Sequence, residues 1–341
     1  MKAKWLAALL VSASVAVQAR AVTNFAVCTD PNAQSNPAVS GNYVVWLDKR
    51  NGFYSDVYAK NLSTGVESVV STGSWIKDNP VVSGNWVAWE DYRNDFYSNI
   101  YKYNLSTLTT SALYSNPYDQ YLPSINGTTI AWTDARSDPM AVYSKSITAS
   151  GGGTLVMSST GQQDMPAIGA SIVAWVDDRS GTPSIYAKNL SNGTQYTVAT
   201  NTDWVQPAVS GNIVVWTATD AVTLKDQVYY KDVTAGGGGT ALAAFNSNQD
   251  APAISGNWVV WHDDRNGNWD IYAKNISTGE LLQVTTDSAD QMYAAIDGTT
   301  VVWEDSRNGN VDIYGTAIPE PATLVLLAAA AIGAIRGRRR G

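Results

Sequence analysis

The sequence WHDDRNGNWDIYAKN, residues 261–275, recurs in modified form along the whole chain. Six further tryptophans repeat its first residue at intervals of 41 to 45 positions: Trp46, Trp89, Trp132, Trp175, Trp216 and Trp303. In all repeats except the one at Trp216, an aspartate follows two positions later and an arginine four positions later. A tyrosine follows each tryptophan by 11 to 13 positions. Self-similarity at roughly 40–45 residues is typical of β-propellers and related arrays, with one blade per repeat.

Each repeat predicts a four-stranded antiparallel meander. In the sixth repeat, strands are expected at 252–255, 258–263, 270–275 and 281–286, separated by Gly, Asn, Ser and Asp residues that favour turns. The second strand is apolar at consecutive positions, as at Val259 and Val260. Side chains alternate between the faces of a strand, so both faces of this sheet must be covered. Blades packed between neighbours around an axis satisfy that requirement.

The seventh repeat ends early, because residues 294–317 supply only three strands. The missing strand is predicted at the other end of the chain, where NFAVCTD at 24–30 aligns with LLQVTTD at 281–287. Cys28 then takes the place of Thr285, a structural position. The predicted fold is an all-β, seven-bladed propeller of four-stranded antiparallel blades, closed by an N-terminal strand that completes the last blade and removes the open edge.

Composition excludes several classes of partner. The 341 residues carry a formal net charge of −8, and the acidic excess grows when the basic residues at the two ends are set aside. Such a surface repels nucleic acid, so no nucleic-acid partner is expected. The one cysteine permits no intrachain disulfide. The aromatic residues are mostly Tyr and Trp, which suit half-buried surfaces and stacking platforms alike.

The N-terminal residues predict export. Residues 1–21 contain Lys2 and Lys4, an apolar run from 5 to 17, and small residues at 19 and 21, which together are typical of a cleaved secretory signal. The propeller is expected to span residues 22–317. A separate segment, 318–341, begins where the composition changes sharply.

This last segment contains Pro319, Glu320 and Pro321, then an apolar run from 322 to 335, then Arg336, Arg338, Arg339 and Arg340. It resembles the PEP-CTERM sorting signal of Gram-negative bacteria. The resemblance implies recognition by a membrane exosortase, transient anchoring in the inner membrane, and delivery to the periplasm, cell surface or extracellular matrix. The run is short for a ~30 Å hydrocarbon core, but the arginines can reach the interface and fix the orientation. A plain tail anchor is the alternative.

The repeat pattern G-N-x-V-V-W-x-D-x-R-N-G-N-x-D-I-Y resembles the repeats of TolB-like propellers, the group that includes the non-catalytic propeller of prolyl oligopeptidases. The resemblance covers residues 22–317 and implies the fold firmly and the function weakly. The fifth repeat departs from it, with Trp216-Thr217-Ala218-Thr219-Asp220 in place of Trp-x-Asp-x-Arg. The irregular turn that carries Asp220, Lys225 and Asp226 is either the entrance to a site or a degenerate blade.

The repeated polar residues favour a scaffold role. Each Asp of Asp-x-Arg can bond its Arg or cap the following turn, and six equivalent copies indicate blade-internal structure rather than a ring of ligands. The Asn-Gly turns at 264–270 and 305–312 resemble a calcium loop only faintly, since no glutamate follows at the required distance. No metal and no cofactor are therefore predicted.

The sequence predicts that the protein is not an enzyme. His262 is the only histidine and lies within a strand, so a serine triad and a His-rich metal site both lack their parts. The predicted function is a non-catalytic binding or scaffold module in the envelope or exopolysaccharide matrix, with a glycan or a surface protein as ligand. The alternatives are a carbohydrate-active enzyme, of glycosidase or lyase type, that uses carboxylates near the axis, and a matrix protein without a defined ligand.

A ligand is expected on the face of the ring that gathers the long, variable loops after the second and fourth strands. Aromatic residues outside the repeated positions, with charged neighbours, suit stacking on sugars or anchoring of a protein. The alternative is that they cover the seams between blades. The candidate ligand-binding residues are Trp75, Lys77, Tyr118, Asp119, Tyr121, Asp203, Trp204, Trp269 and Tyr293.

Overall fold

The computed structural model describes residues 22–94 and 97–319, and the expected signal peptide and most of the sorting segment lie outside these residues. The described chain forms seven four-stranded sheets. Every strand pairing within them is antiparallel. The seven-bladed all-β propeller predicted from the repeats is therefore confirmed.

The strands follow chain order within each blade. Blades 1 to 4 are β2 (Gln34–Ser40), β3 (Tyr43–Asp48), β4 (Asp56–Asn61), β5 (Glu67–Ser71); β6 (Lys77–Ser83), β7 (Trp86–Asp91), β8 (Asn99–Asn104), β9 (Thr109–Ala112); β10 (Gln120–Asn126), β11 (Thr129–Asp134), β12 (Ala141–Ser146), β13 (Thr154–Leu155); β14 (Gln163–Gly169), β15 (Ile172–Asp177), β16 (Ser184–Asn189) and β17 (Gln195–Ala199). Blades 5 to 7 are β18 (Ala208–Ser210), β19 (Ile213–Thr219), β20 (Asp226–Asp232), β21 (Thr240–Ala241); β22 (Gln249–Ser255), β23 (Trp258–Asp263), β24 (Asp270–Asn275), β25 (Leu281–Gln283); β26 (Gln291–Asp297), β27 (Thr300–Asp305), β28 (Asp312–Ala317) and β1 (Phe25–Cys28).

The first strand of the chain closes the ring. β1 pairs with β28 as the outer strand of blade 7, with Phe25 opposite Gly315 and Cys28 opposite Ile313. The hydroxyl of Thr316 donates to the carbonyl of Thr23 at 2.9 Å, 293 positions away in sequence. Closure by residues 24–30 is confirmed, and Cys28 is buried in the seam between blades 7 and 1.

The strand limits differ from prediction mainly at the outer edge. The fourth strand of blade 6 ends at Gln283 instead of residue 286. Beyond it, the backbone N–H of Ile271 donates to the hydroxyl of Thr285 at 2.8 Å, and the same hydroxyl donates to the carboxylate of Asp270. A side chain thus replaces a carbonyl as the acceptor and ends the regular ladder.

The repeated Trp-x-Asp-x-Arg sequence forms one buried cluster in each of the six blades that contain it, here called the clasp. In blade 7 the indole N–H of Trp303 donates to Asp305 at 2.8 Å, and the same carboxylate accepts from the guanidinium of Arg307. All six such indole-to-carboxylate bonds measure 2.8–3.3 Å. Each Arg also lies over the Tyr of the third strand, as Arg307 does over Tyr314 at 4.2 Å. The Asp–Arg bonds lie within each blade, as the scaffold interpretation predicts. Arg50, Arg93 and Arg179 also bond the preceding blade, through Cys28, Ser71 and Met157.

The clasp is electrostatically balanced. Burial alone would raise the pKa of Asp263, but hydrogen bonds from Arg265 and Trp261 outweigh it and hold that pKa below its usual value. The tryptophans themselves pack against the preceding blade, as Trp261 does with Val215, Val228 and Leu242 of blade 5. Each clasp tryptophan therefore makes hydrophobic contacts with the preceding blade and a hydrogen bond within its own blade.

Of the residues described, none forms a helix of the length and apolarity needed to cross a bilayer.

Replacing Asp305 by Ala should destabilise the propeller by about 3 kcal/mol, because a buried indole N–H and a guanidinium lose their acceptor together. Urea unfolding followed by intrinsic fluorescence measures the change. Asp203→Ala, at an exposed loop position, is the matched control and should stay within about 0.5 kcal/mol of the parent. Equal effects of the two substitutions would contradict the assignment of the clasp as a stabilising unit.

Candidate functional site

The first strands of the blades line an axial channel with a volume of about 430 Å³. Its wall is largely apolar. Six blades have proline at the same strand position, and five of these prolines line the channel: Pro37, Pro80, Pro123, Pro207 and Pro252. At one end the strands begin next to the loops that follow the second and fourth strands, since Gln34 opposes Asp48 in the β2–β3 pairing. The variable loops therefore surround this end of the channel, here called the mouth.

A bulge shapes each first strand at the mouth. In six blades the register shifts by one residue, and the residue at the bulge has φ between 47° and 55°: Asn36, Asn79, Leu122, Met165, Ala251 and Tyr293. This left-handed conformation is uncommon for residues other than glycine. It turns the bulge N–H away from the ladder, so this group needs an acceptor from elsewhere.

Titratable side chains supply all six acceptors. In blades 2, 4 and 6 the preceding aspartate accepts from the bulge N–H at 2.7–2.9 Å: Asp78, Asp164 and Asp250. In the other three blades the acceptor comes from the neighbouring blade's Trp-x-Asp sequence, where its middle residue is Glu90, His262 or Glu304. Five carboxylates and one imidazole thus surround the mouth. Neither the bulge residues nor the two acceptor positions contain Lys or Arg in any blade.

Glu90 is the most perturbed of these acids. It is 4% exposed and accepts from Leu122 N–H at 2.7 Å and from the amide of Asn79 at 2.6 Å. Burial raises the pKa of Glu90 to about 7 against these hydrogen bonds, and the charges of Asp78 and Asp164 add to the rise. A carboxyl group that is half protonated near neutral pH, in a cleft, is a candidate for acid–base chemistry.

His262 lies on the other side of the mouth among aromatic rings. Its ring centroid is 4.7 Å from that of Trp269 and 5.4 Å from that of Tyr293, both edge-to-face. Burial lowers the pKa of His262, although Asp250, opposite it in the β22–β23 register, opposes the shift. Its Nδ1 accepts from the N–H of Tyr293 at 3.3 Å, which assigns the proton of the neutral ring to Nε2. The Nε2–H group is therefore the one donor of the neutral His262 ring.

Two of the predicted ligand-binding residues are part of a seam between blades. Lys77 takes the position that glutamine holds in most blades, and it is 2% exposed. Its ammonium lies 3.2 Å from Asp56 and donates to three backbone carbonyls. The ring of Trp75 lies 5.0 Å from this ammonium and 5.2 Å from the guanidinium of Arg93. These two side chains make internal contacts.

The remaining candidates lie in the loops and strands around the mouth. Tyr118 is exposed, whereas Asp119 accepts from both the N–H and the hydroxyl of Ser98. Tyr121 is half-buried with its hydroxyl on the sulfur of Met140, and burial raises its pKa. Asp203 and Trp204 are exposed in the loop before blade 5. The structure brings Trp269 and Tyr293 together around His262, and it places Tyr121 in the electrostatic environment of Glu90.

Sequence reasoning missed the acidic ring. Glu90, Glu304 and His262 occupy the middle of Trp-x-Asp, where other blades have Leu, Thr or Val. A strand alternates its faces, so this residue points away from the clasp, and a charged residue there was the available signal. The bulge that brings it to a neighbouring backbone N–H has no sequence signature of its own. Asp164 and Asp250 can be recognised as acceptors only when the bulge N–H groups that they bind are known.

Known structures show the same architecture. The chain is similar to an oligogalacturonate lyase in complex with manganese, with 14% identity, 88% of this chain and 94% of the other covered, and a TM-score of 0.65. It is similar to the β-propeller domain of the Trilobed protease from Pyrococcus furiosus, with 11% identity, 85% and 96% covered, and a TM-score of 0.66. A third is the acylaminoacyl peptidase of Pyrococcus horikoshii, with 12% identity, 86% and 54% covered, and a TM-score of 0.62. These similarities show the fold, a seven-bladed β-propeller.

Residues 317–340 match the model of the PEP-CTERM protein-sorting motif. The predicted sorting signal is confirmed, and it implies export, sorting to the surface of a Gram-negative cell and processing by an exosortase-type enzyme. Of its named residues, Pro319 is described, whereas Glu320, Pro321 and the four arginines lie outside the described residues. No curated protein matches the sequence.

The prediction that the protein is not an enzyme is wrong, because the propellers it resembles include those of a lyase and a peptidase. The prediction rested on the absence of a second histidine, but a buried carboxyl with a raised pKa can serve acid–base chemistry without one. In residues 22–94 and 97–319, no group of three or more His, Cys, Asp and Glu side chains is arranged to hold a metal ion.

Replacing Glu90 by Gln should remove a pH dependence of stability. The folded-state pKa of Glu90, about 7, exceeds its ordinary 4.5, so the folded state favours the protonated form. Its contribution is fully present below pH 4.5 and is lost as the pH rises through 7, by up to about 3 kcal/mol. Urea unfolding of the parent and Glu90→Gln at pH 4.5, 6 and 8 measures the difference. A constant difference across this range would contradict the assignment, and Asp203→Asn is the exposed control.

Proposed function

We propose that the exported propeller binds a neutral or amino-bearing glycan at the mouth of its axial channel, at the cell surface or in the exopolysaccharide matrix. The observation that carries this proposal is the group formed by Trp269, Tyr293 and His262. In it, two aromatic rings flank an imidazole that presents an N–H, next to a channel entrance bordered by carboxylates.

Aromatic rings beside a hydrogen-bond donor suit a sugar. The faces of Tyr and Trp rings stack on the C–H face of a pyranose, while polar groups at the ring edge bond its hydroxyls. Tyr293 is 50% exposed and contributes to the channel wall. Its contact with His262 is edge-to-face, at an interplanar angle of 78°.

The charge of the mouth selects among glycans. Asp78, Glu90, Asp164, Asp250 and Glu304 surround the entrance, with no cation at these positions. A polysaccharide rich in uronic acid would be repelled, whereas hydroxyl groups and protonated amines would be accepted. The proposed ligand therefore differs in charge from oligogalacturonate, for which the similar lyase is named.

The division of the chain follows from the proposed setting. Residues 1–21 direct export, 22–317 form the binding propeller, and 318–341 hold the protein at the inner membrane until processing. Tyr118, Trp204 and Asp203 lie exposed in loops that precede first strands, which begin at the mouth. They are the residues that an extended chain could contact beyond the central sugar.

The binding proposal is tested with Trp269→Ala and Tyr293→Ala. Each substitution removes a stacking surface, so we expect at least a tenfold loss of affinity for neutral oligosaccharides, since about 1.4 kcal/mol is tenfold. Affinity is measured by calorimetry with the hits of a glycan array.

Leu108→Ala is the matched control, because Leu108 is 70% exposed in the turn between β8 and β9, at the end of the blades away from the mouth, and should not change the affinity. Binding that is confined to acidic glycans, or that survives both mouth substitutions, would contradict the proposal.

A second candidate function is hydrolysis of the bound glycan, favoured by the raised pKa of Glu90. A protonated carboxyl can donate to a glycosidic oxygen while a second, ionised carboxylate assists water or the developing cation. Asp78 is opposite Glu90 in the β6–β7 register and is one of the charges that raise its pKa. The pair provides one carboxyl that keeps its proton near neutral pH and one neighbouring acid.

We expect Glu90→Gln to abolish release of reducing sugar from a glycan that the parent cleaves, while its binding affinity stays within twofold. The matched control is Glu304→Gln, since Glu304 makes the same bond to a bulge N–H, that of Asn36, in another blade. Reducing-end assays over a pH series measure both variants. Equal losses in the two variants would show that Glu90 has only a structural role.

A further inference from the structure

Blade 5 lacks the clasp that the other six blades share. Ala218 stands where they have Asp, and Asp220 stands where they have Arg. Trp216 and Tyr229 are retained and still stack, with ring centroids 5.9 Å apart at 18°. The aromatic half of the unit is therefore present without its ion pair.

The missing ion pair leaves a groove between blades 4 and 5, with a volume of about 470 Å³. Trp216, Ala218, Tyr229 and Lys231 line it from blade 5, and Thr200, Asn201 and Thr202 of the loop after β17 line it from blade 4. The Lys231 ammonium donates to the carbonyl of Thr197 at 3.0 Å. In the six other blades the volume next to the same Trp and Tyr holds the carboxylate and the guanidinium. Substitution of the clasp residues thus opened a space at a defined place in the fold.

A buried polar group faces this groove. Trp216 is 3% exposed, yet none of the residues that the structure describes accepts a hydrogen bond from its indole N–H. In the complete clasps this N–H points to the residue two positions later on the same face of the strand, as that of Trp303 does to Asp305. The equivalent residue here is Ala218, which lines the groove. A ligand in the groove would therefore lie next to this N–H.

Asp220 reverses the charge at the arginine position. One of its carboxylate oxygens accepts from Val222 N–H, Thr223 N–H and the Thr223 hydroxyl, which lowers the pKa of Asp220. The other oxygen lies 3.5 Å from the hydroxyl of Tyr229. An ionised carboxylate with one oxygen still available thus stands at the rim of a Tyr ring.

We propose that this groove, the blade-5 groove, binds a guanidinium group. The chain itself shows that a guanidinium fits there, because in the six other blades one lies 3.9–4.3 Å from the centroid of the equivalent Tyr ring. In blade 5 the guanidinium comes from outside, stacks on Tyr229 and pairs with Asp220.

A guanidinium suits the groove better than an ammonium. It is planar, so it can stack on Tyr229 while its N–H groups bond a carboxylate in the ring plane. An ammonium is compact and strongly hydrated and cannot stack in this way. The source is either a small guanidino compound or an arginine of a surface peptide, and both present the same group. This site is distinct from the channel mouth and does not depend on the glycan proposal.

The experiment titrates the processed protein with agmatine, with butylamine and with a short peptide that contains a single arginine. Binding is followed by calorimetry and by the indole N–H resonance of Trp216, assigned with Trp216→Phe. We expect agmatine to shift this resonance and to bind at least tenfold more tightly than butylamine. A stronger response to the peptide than to agmatine identifies a protein source, and the reverse identifies a small molecule.

The variant Ala218→Asp with Asp220→Arg rebuilds the internal clasp and should abolish binding while raising the thermal midpoint. Asp220→Asn, at a partly exposed position, should weaken agmatine binding at least fivefold without affecting the fold. Equal binding of agmatine and butylamine would overturn the proposal, as would full affinity in the folded double variant. If the double variant does not fold, undiminished affinity in Asp220→Asn overturns it instead.

Discussion

The buried hydrogen bond from each clasp tryptophan to the aspartate two residues later is the constraint on which the propeller depends. The indole must be covered by the preceding blade, and its N–H must find an acceptor away from water. The aspartate that accepts it is charged, so an arginine must accompany it, and that arginine is covered by the tyrosine of the third strand. The clasp tryptophan thus determines which side chains of the second strand point toward the preceding blade. It also determines the turn after that strand and the contact with the adjacent blade.

With the clasp directed to one side of the second strand, the alternate residues of that strand are directed to the other. This geometry brings Glu90, His262 and Glu304 to the bulge N–H groups of the following blades. The polar groups of the mouth are therefore anchored by the backbone in the same way that the clasp is anchored by side chains. Burial next to like charges then raises the pKa of Glu90, which gives the mouth a carboxyl group that can exchange a proton near neutral pH.

The blade count, the closure and most strand limits could be predicted because each depends on periodic residues such as Trp261 and Tyr272, whose spacing survives without coordinates. The mouth could not, because its acids meet across blades through a bulge that follows from backbone geometry. Lys77 shows the limit clearly. It is a loop-side lysine beside Trp75 in sequence, yet it replaces a buried glutamine and pairs with Asp56 of the neighbouring blade. Trp269 and Tyr293 could be named as candidates because aromatic residues outside the repeated positions are visible in the sequence itself.

The pairing of β1 with β28 has a consequence for the order of assembly. An exported chain crosses the membrane from its N-terminus, so β1 emerges first and stays unpaired until β28, its partner strand, emerges last. Six blades can form as they appear, but the seventh is completed only when residues up to 317 have crossed. The sorting motif matched at 317–340 begins where β28 ends, so the strand that pairs with β1 is the last part of the propeller before the motif. The topology alone therefore makes closure of the ring the last step of its assembly.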